Sequence, residues 1–95
     1  ADGDDGAKKV TPAERDREKA KEERRRRRAA EKLAEQAAEM EAEIHALEAR
    51  LAALSAQLEA ASLAGDVAKV HDLGVKYQAI DAELHRVMTQ WASLT

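Results

Sequence analysis

The sequence predicts an all-α protein, a two-helix antiparallel coiled-coil hairpin with a charged N-terminal extension of its first helix and a disordered N-terminus. Three observations predict it. The 95 residues contain one Pro, no Phe, one Trp and one Tyr among many Ala, Glu, Leu, Lys and Arg, a composition typical of long helices. Apolar residues then recur at alternating steps of three and four, which is the heptad pattern of coiled coils. A single short turn at Gly65 divides this pattern into two parts of similar length.

The N-terminal part has two sections. Residues 1–11 are rich in Asp, Gly, Ala and Lys without periodicity, and we expect a disordered linker. Thr11, Pro12 and Glu14 then match the sequence signal for a helix start, with Thr at the N-cap and Pro at the first helical position. We therefore predict that residues 12–32 form a basic helical extension, or else a charged linker.

The C-terminal part carries two heptad seams. We assign the first seam to a helix over 33–62 and the second seam to a helix over 67–94. In the turn between them, at 63–66, we expect Gly65 to take a positive φ and Asp66 to cap the second helix. The first seam comprises Leu33, Ala37, Met40, Ile44, Leu47, Leu51, Leu54, Leu58 and Ala61. The second comprises Val70, Leu73, Tyr77, Ile80, Leu84, Val87, Trp91 and Leu94.

The two seams also predict their own register. Pairing Ala61 with Val70 brings every a position of one helix against a d position of the other, as an antiparallel coiled coil requires. The same register places Met40 opposite Trp91. We therefore predict that residues 33–95 form the hairpin, with Trp91 in its core and the indole N–H at the edge, where it meets water or a carboxylate.

Charge is divided unevenly along the chain. The net charge is −3, but residues 13–32 hold ten basic and six acidic side chains, whereas residues 33–95 hold four basic and ten acidic ones. These segments therefore carry +4 and −6, which suggests partners of different kinds.

The basic segment is the candidate binding site. Five successive arginines spread around the helix by more than a full turn, which favours sequence-independent contact with nucleic-acid phosphates. No aromatic residue lies among them, so base stacking is not supported. The predicted phosphate-contacting residues are Arg15, Arg17, Lys19, Lys21, Arg24, Arg25, Arg26, Arg27, Arg28 and Lys32.

Two alternatives remain open from the residues. In one, the arginine run is only a linker, and the acidic hairpin is a spacer or docks a basic protein surface through Glu41, Glu48, Asp81 and Glu83. In the other, the chain associates with itself through the Ala-rich outer faces of its helices.

The sequence contains no motif typical of an enzyme or of a metal site. The chain has no cysteine, no Gly-rich phosphate loop and no catalytic Ser/His/acid or HExxH arrangement, so we expect no enzymatic activity, metal or cofactor in it. His45, His71 and His85 each follow a seam residue, and we expect them to be exposed to solvent.

No apolar run approaches the roughly 18 residues of a membrane span, and no signal peptide is visible, so we expect a cytoplasmic protein. The chain opens without Met, which favours a piece of a longer protein.

Several stretches resemble a known module. EIHALEARLAAL, GDVAKVHDLGVKY and LHRVMTQWASL are similar to the C-terminal coiled-coil domain of ABC-F ATPases, the Uup-type domain. Ile44, Leu47 and Glu48 match the family's Ile-x-x-Leu-Glu motif in the first helix, and Trp91 and Leu94 match its closing Trp-x-x-Leu. Two departures are the short turn and the arginine-rich segment, which stands where the first helix of the family usually starts.

The resemblance implies a parent protein with two ATP-binding cassettes that acts at the ribosome or on nucleic acid. ATP and Mg would bind in those cassettes, outside this chain, and this chain would be a non-catalytic accessory tail. The implied partners are DNA or ribosomal RNA, with the parent's ATPase domains as a further possibility. The hairpin itself is expected to be monomeric.

Overall fold

The computed structural model describes residues 10–94, and they form two α-helices. α1 spans Pro12–Leu63 and α2 spans Val67–Leu94, with no strand among the described residues, which confirms the predicted all-α hairpin. Contacts divide the chain into two compact units, with the boundary after Leu33. Most of the predicted disordered linker, residues 1–9, lies outside the described residues. Within the part of the chain that is described, neither helix is long and apolar enough to cross a bilayer.

The N-terminus of α1 is capped as the sequence predicts. The backbone N–H of Glu14 donates to the Thr11 hydroxyl at 3.1 Å, and the N–H of Arg15 donates to the Thr11 carbonyl at 3.0 Å. The bond to the hydroxyl satisfies one of the donors that a helix start leaves without an intrahelical partner, and the bond to the carbonyl is the first intrahelical bond of α1. Pro12 has no N–H to satisfy, and its restricted φ suits the first helical position. The predicted helix start is therefore confirmed.

The turn between the helices is built around Gly65, whose φ of 71° lies in the left-handed region. The N–H of Asp66 donates to the carbonyl of Ala61 at 3.0 Å, and the N–H of Gly65 donates to that of Ser62 at 3.1 Å. This pair of bonds is the Schellman motif, which satisfies the last carbonyls of a helix. α1 ends at Leu63, one residue later than predicted.

The same turn starts the second helix. The carboxylate of Asp66 accepts a bond from the N–H of Lys69 at 3.1 Å, and its carbonyl accepts one from the N–H of Val70 at 3.0 Å. Asp66 is thus the N-cap of α2, as predicted. This turn of three residues ends α1, begins α2 and reverses the chain direction, so that α2 packs against α1.

The core of the second unit is the predicted seam. Leu47 of α1 and three residues of α2 form one buried cluster, in which Val87 is only 1% exposed. The members of the cluster are Leu47, Ile80, Leu84 and Val87, with Met40, Ile44, Leu51 and Leu54 packed against it. From Ala37 to Leu94, every residue assigned to a seam is buried or half-buried. Tertiary packing therefore follows the heptad pattern in both helices.

The first position of the predicted seam is wrong. Leu33 is 48% exposed and lies at the boundary of the two units, so the packed seam begins at Ala37. In the predicted register the position opposite Leu33 falls beyond Leu94, the last residue of α2.

Trp91 is half-buried on the seam, and its indole Nε1–H donates to Oε1 of Glu41 at 3.1 Å. Among residues 10–94 this is the one side-chain hydrogen bond that joins α1 to α2. Of the two predicted partners of the indole N–H, water or a carboxylate, the structure shows the carboxylate. The described residues contain no buried side-chain nitrogen or oxygen without a partner.

Candidate nucleic-acid interface

All ten predicted phosphate-contacting residues lie on the first half of α1 and are exposed. Between positions 12 and 33 only Ala20 is half-buried, and no residue is buried. The predicted site is therefore an open helical surface rather than a pocket. Its properties depend on how helical geometry distributes the side chains around the axis.

Four of these residues converge on one side. Lys21, Arg24, Arg25 and Arg28 line a single open groove of about 210 Å³. Their spacing of three, four and seven residues places them on one helical face, because each residue turns the helix by about 100°. The five successive arginines are predicted to spread around the helix, but three of them share this groove.

Two further cations extend this face along the helix. Arg17 lies four residues before Lys21, and Lys32 lies four residues after Arg28, so both continue the same helical spacing. We call the resulting six residues the basic face; it consists of Arg17, Lys21, Arg24, Arg25, Arg28 and Lys32. At 1.5 Å per residue the basic face extends for about 22 Å along the axis.

The other four predicted residues lie elsewhere around the helix. Arg15, Lys19, Arg26 and Arg27 fall at angles outside the arc of the basic face. The structure therefore separates the ten predicted residues into six that can meet one ligand surface together and four that cannot. A test for charge periodicity at helical spacing would have found this division in the sequence alone.

Two residues of the basic face take part in exposed ion pairs. Nζ of Lys21 lies 3.8 Å from Oε1 of Glu18, and Nη1 of Arg25 lies 4.0 Å from Oε2 of Glu22. Glu22 also meets Nε of Arg26 at 3.6 Å, so it is shared by two arginines. Pairs of this kind on an exposed helix contribute only about 0.3–0.5 kcal/mol each. A phosphate group can therefore replace them at little cost.

The remaining predicted residues have no acidic partner within the described part of the chain. They are Arg15, Arg17, Lys19, Arg24, Arg27, Arg28 and Lys32. Arg24 and Arg28 are one helical turn apart on the basic face, and their charges repel one another. A polyanion bound there would relieve that repulsion as well as form direct contacts.

Several acidic residues of the hairpin have a nearby partner in the chain. Each of the four carboxylates considered for protein docking already has a nearby partner in the chain. The pairs are Glu41 with Trp91 at 3.1 Å, Glu48 with His45 at 3.8 Å, Asp81 with His85 at 3.6 Å and Glu83 with Arg86 at 3.4 Å. Of these four partners, only Arg86 carries a permanent positive charge, so the hairpin keeps its excess of negative charge.

The histidines lie on the surface, as predicted. His45, His71 and His85 are all exposed, and the side chains of His45 and His85 retain 82% and 71% of their accessible area. Nδ1 of His85 also lies 2.8 Å from the carbonyl oxygen of Asp81, one turn earlier on its own helix. Within residues 10–94, no three His, Cys, Asp or Glu side chains are grouped so that they could hold a metal ion.

Comparisons with known proteins place the chain in a family. Searches of curated proteins and of solved structures gave no significant match. The family model of the ABC transporter C-terminal domain matches residues 21–95, which include the arginine run as well as both hairpin helices. The match is therefore wider than the resemblance seen in the hairpin motifs. Because it covers most of the sequence and agrees with those motifs, the chain belongs to the ABC transporter C-terminal domain family.

Proposed function

We propose that this chain is a non-catalytic accessory domain of an ABC-F-type ATPase and that it binds DNA or ribosomal RNA through backbone phosphates. The observation that carries the proposal is the convergence of Lys21, Arg24, Arg25 and Arg28 on one open groove of an exposed helix. The family match supports the accessory role, and the basic face supports the ligand.

The shape of the basic face suits a phosphate backbone. An α-helix fits into the major groove of B-form DNA, which is about 12 Å wide, and cations there can reach phosphates of both strands. The wide, shallow minor groove of A-form RNA accepts an exposed helix equally well. Because residues 12–32 contain no aromatic side chain, bases have nothing to stack on. Binding should therefore depend on charge and shape more than on base sequence.

Charge also directs the ligand to this segment. The hairpin residues from 33 onwards carry −6 and repel a polyanion, whereas residues 13–32 carry +4. On binding, phosphates replace Glu18 and Glu22 as the partners of Lys21 and Arg25. The four cations off the basic face add to the general attraction but cannot meet the same surface.

ATP binding and hydrolysis are functions of the parent protein. ATP and Mg bind in its cassettes, outside this chain, and the cassettes carry out hydrolysis in the cytoplasm. The accessory domain contributes only binding, as a monomeric hairpin with a basic helix. The parent's ATPase domains are a second partner of this domain.

The test compares two triple variants of the full chain. One removes three charges of the basic face, Arg24→Gln, Arg25→Gln and Arg28→Gln. The control removes three charges elsewhere on the same helix, Arg15→Gln, Arg26→Gln and Arg27→Gln. Both variants have the same net charge, and each loses one ion-paired arginine. Binding to a short DNA duplex and to an RNA hairpin is measured by fluorescence anisotropy at several salt concentrations.

We expect the basic-face variant to lose about 2 to 3 units of the slope of log K against log salt on duplex DNA, since each neutralised phosphate contributes about 0.9. The control variant should lose less than one unit. Equal losses would mean that charge alone matters and would overturn the role of the basic face. If the unaltered chain binds neither ligand, the segment is a linker and the nucleic-acid function is wrong.

A further inference from the structure

The hairpin has its own open groove, which the proposed function does not use. It has a volume of about 470 Å³ and lies between α1 and α2. Among its lining residues, Leu54 and Ile80 are the least exposed and form its floor, whereas Ala53, Ala79, Arg50 and Lys76 are exposed and form its edges. We call this site the hairpin groove. All of its residues belong to the second unit.

The floor of the hairpin groove is continuous with the core. Ile80 belongs to the buried cluster and is 9% exposed, and Leu54 packs against the same cluster. The groove stays open because Ala53 and Ala79 are small and leave the space beside the seam unfilled. Small side chains on two neighbouring helices allow a third helix to approach, since packed helices lie 8–10 Å apart. An apolar side chain of such a helix would then cover Leu54 and Ile80.

The edges of the groove carry unpaired positive charge. Arg50 on α1 and Lys76 on α2 are exposed, and neither has an acidic partner among residues 10–94. The carboxylate of Glu83 on α2 is bound by Arg86 of the same helix at 3.4 Å. No carboxylate lines the groove. Two of the four cations in an otherwise acidic hairpin therefore line this groove.

We propose that the hairpin groove binds an acidic amphipathic helix of a partner protein. One or two of its apolar side chains lie on Leu54 and Ile80, and its flanking carboxylates pair with Arg50 and Lys76. The complex is then a three-helix bundle in that part of the hairpin, a form of the helix-in-groove recognition seen in many complexes.

The lining of the groove favours a peptide over nucleic acid. Four of its seven lining residues are apolar, and none is aromatic, so bases could not stack there. Phosphates would meet only two cations within a hairpin of net charge −6. An acidic peptide brings few charges, and its apolar side chains can pack on Leu54 and Ile80. The proposal is independent of the proposed function of the basic face.

The probe is a labelled synthetic peptide of about 16 residues, long enough to form a helix, with Leu on one face and Glu on both sides of it. Its binding to the full chain is measured by anisotropy and mapped by NMR. The groove variant is Arg50→Glu with Lys76→Glu. The matched control is Lys19→Glu with Lys69→Glu, which has the same net charge and leaves the groove intact. Circular dichroism and thermal melting verify that both variants fold.

We expect at least a tenfold loss of affinity in the groove variant and less than a twofold loss in the control. A second peptide, with Lys in place of Glu, should bind the groove variant more tightly than it binds the unaltered chain. Such a charge exchange is not produced by mere unfolding, so it separates a binding role from a structural one.

Any of five results would overturn the proposal. The Glu peptide does not bind, or it binds the groove variant and the control equally. The basic-face triple variant loses peptide binding while the groove variant keeps it, which would place the peptide on residues 12–32. The groove variant loses binding to duplex DNA or RNA but not to the peptide, which would make the groove a phosphate site. The peptide displaces a dimer seen in sedimentation, which would identify a second copy of the chain as the occupant.

Discussion

The two regions of the chain are stabilised in different ways, although α1 runs through both of them. In residues 12–32 nearly every side chain is exposed, and the helix is supported by the Thr11 cap and by weak ion pairs. In residues 34–94 the helices are stabilised by a shared apolar seam, in which Val87 is 1% exposed. The first region therefore depends on local interactions, and the second depends on tertiary contacts.

This difference has a consequence for function. On an exposed helix without a core, packing does not restrict the side chains, so six cations can share the basic face. On the seam, packing restricts the side chain at every third or fourth position, so a partner can reach the seam only where the neighbouring residues are small. The hairpin groove is such a place, because Ala53 and Ala79 leave room beside the seam.

The largest effect on stability is expected from a substitution in the core. Leu84→Ala should lower the free energy of unfolding by about 2–4 kcal/mol, because it leaves a cavity between two helices that have no other core. Leu84 is 8% exposed. Val75→Ala is the control, since Val75 is 55% exposed and its loss should cost less than about 0.5 kcal/mol. Urea unfolding followed by Trp91 fluorescence measures both; equal effects would contradict the assigned core.

The next largest effect is expected at two glycines, where substitution by Ala should change the stability of the hairpin in opposite directions. Gly65→Ala should destabilise the hairpin by about 1–2 kcal/mol, because its φ of 71° is unfavourable for a residue with a Cβ. Gly74→Ala should stabilise it by about 1 kcal/mol, because Gly74 lies inside α2 and a Cβ there meets nothing within 4 Å. Melting temperatures that shift in the same direction would disprove this account of the turn.

A similar but purely local effect is expected at the start of α1. Thr11→Ala removes the hydroxyl that accepts the N–H of Glu14 and should weaken the first turn by about 1 kcal/mol. Amide hydrogen exchange over residues 13–16 should then accelerate about fivefold. Unfolding of the hairpin should not change. A change in hairpin stability would show that the two regions are energetically coupled.

The smallest effect is expected at the edge of the seam. Glu41→Ala removes the acceptor of the Trp91 indole N–H and should cost about 0.5–1 kcal/mol, since the bond is exposed. Glu39→Ala is the control, because Glu39 is exposed and has no hydrogen bond or ion pair among the described residues. Urea unfolding measures the cost. The emission of Trp91 should shift in the first variant only, and an unchanged spectrum would mean that the bond does not persist in solution.

Much of the fold could be predicted because its signals are local or periodic. Thr11 and Pro12 mark the helix start, Gly65 and Asp66 mark the turn, and the heptad steps identify which side chains are buried. The prediction failed at Leu33, because periodicity alone does not show where a partner helix ends. The basic face was also missed, although the helical spacing of Lys21, Arg24, Arg25 and Arg28 was present in the sequence.

The sequence by itself determined the two helices, their antiparallel register and the separation of charge, because backbone caps and heptads act through neighbours along the chain. Only the tertiary structure decided that Glu41 is the partner of Trp91 and that Arg50 and Lys76 flank one apolar groove. These features join side chains from two helices, and their distances depend on how closely the helices pack. That spacing is set by all the seam contacts together, so no single motif reveals it.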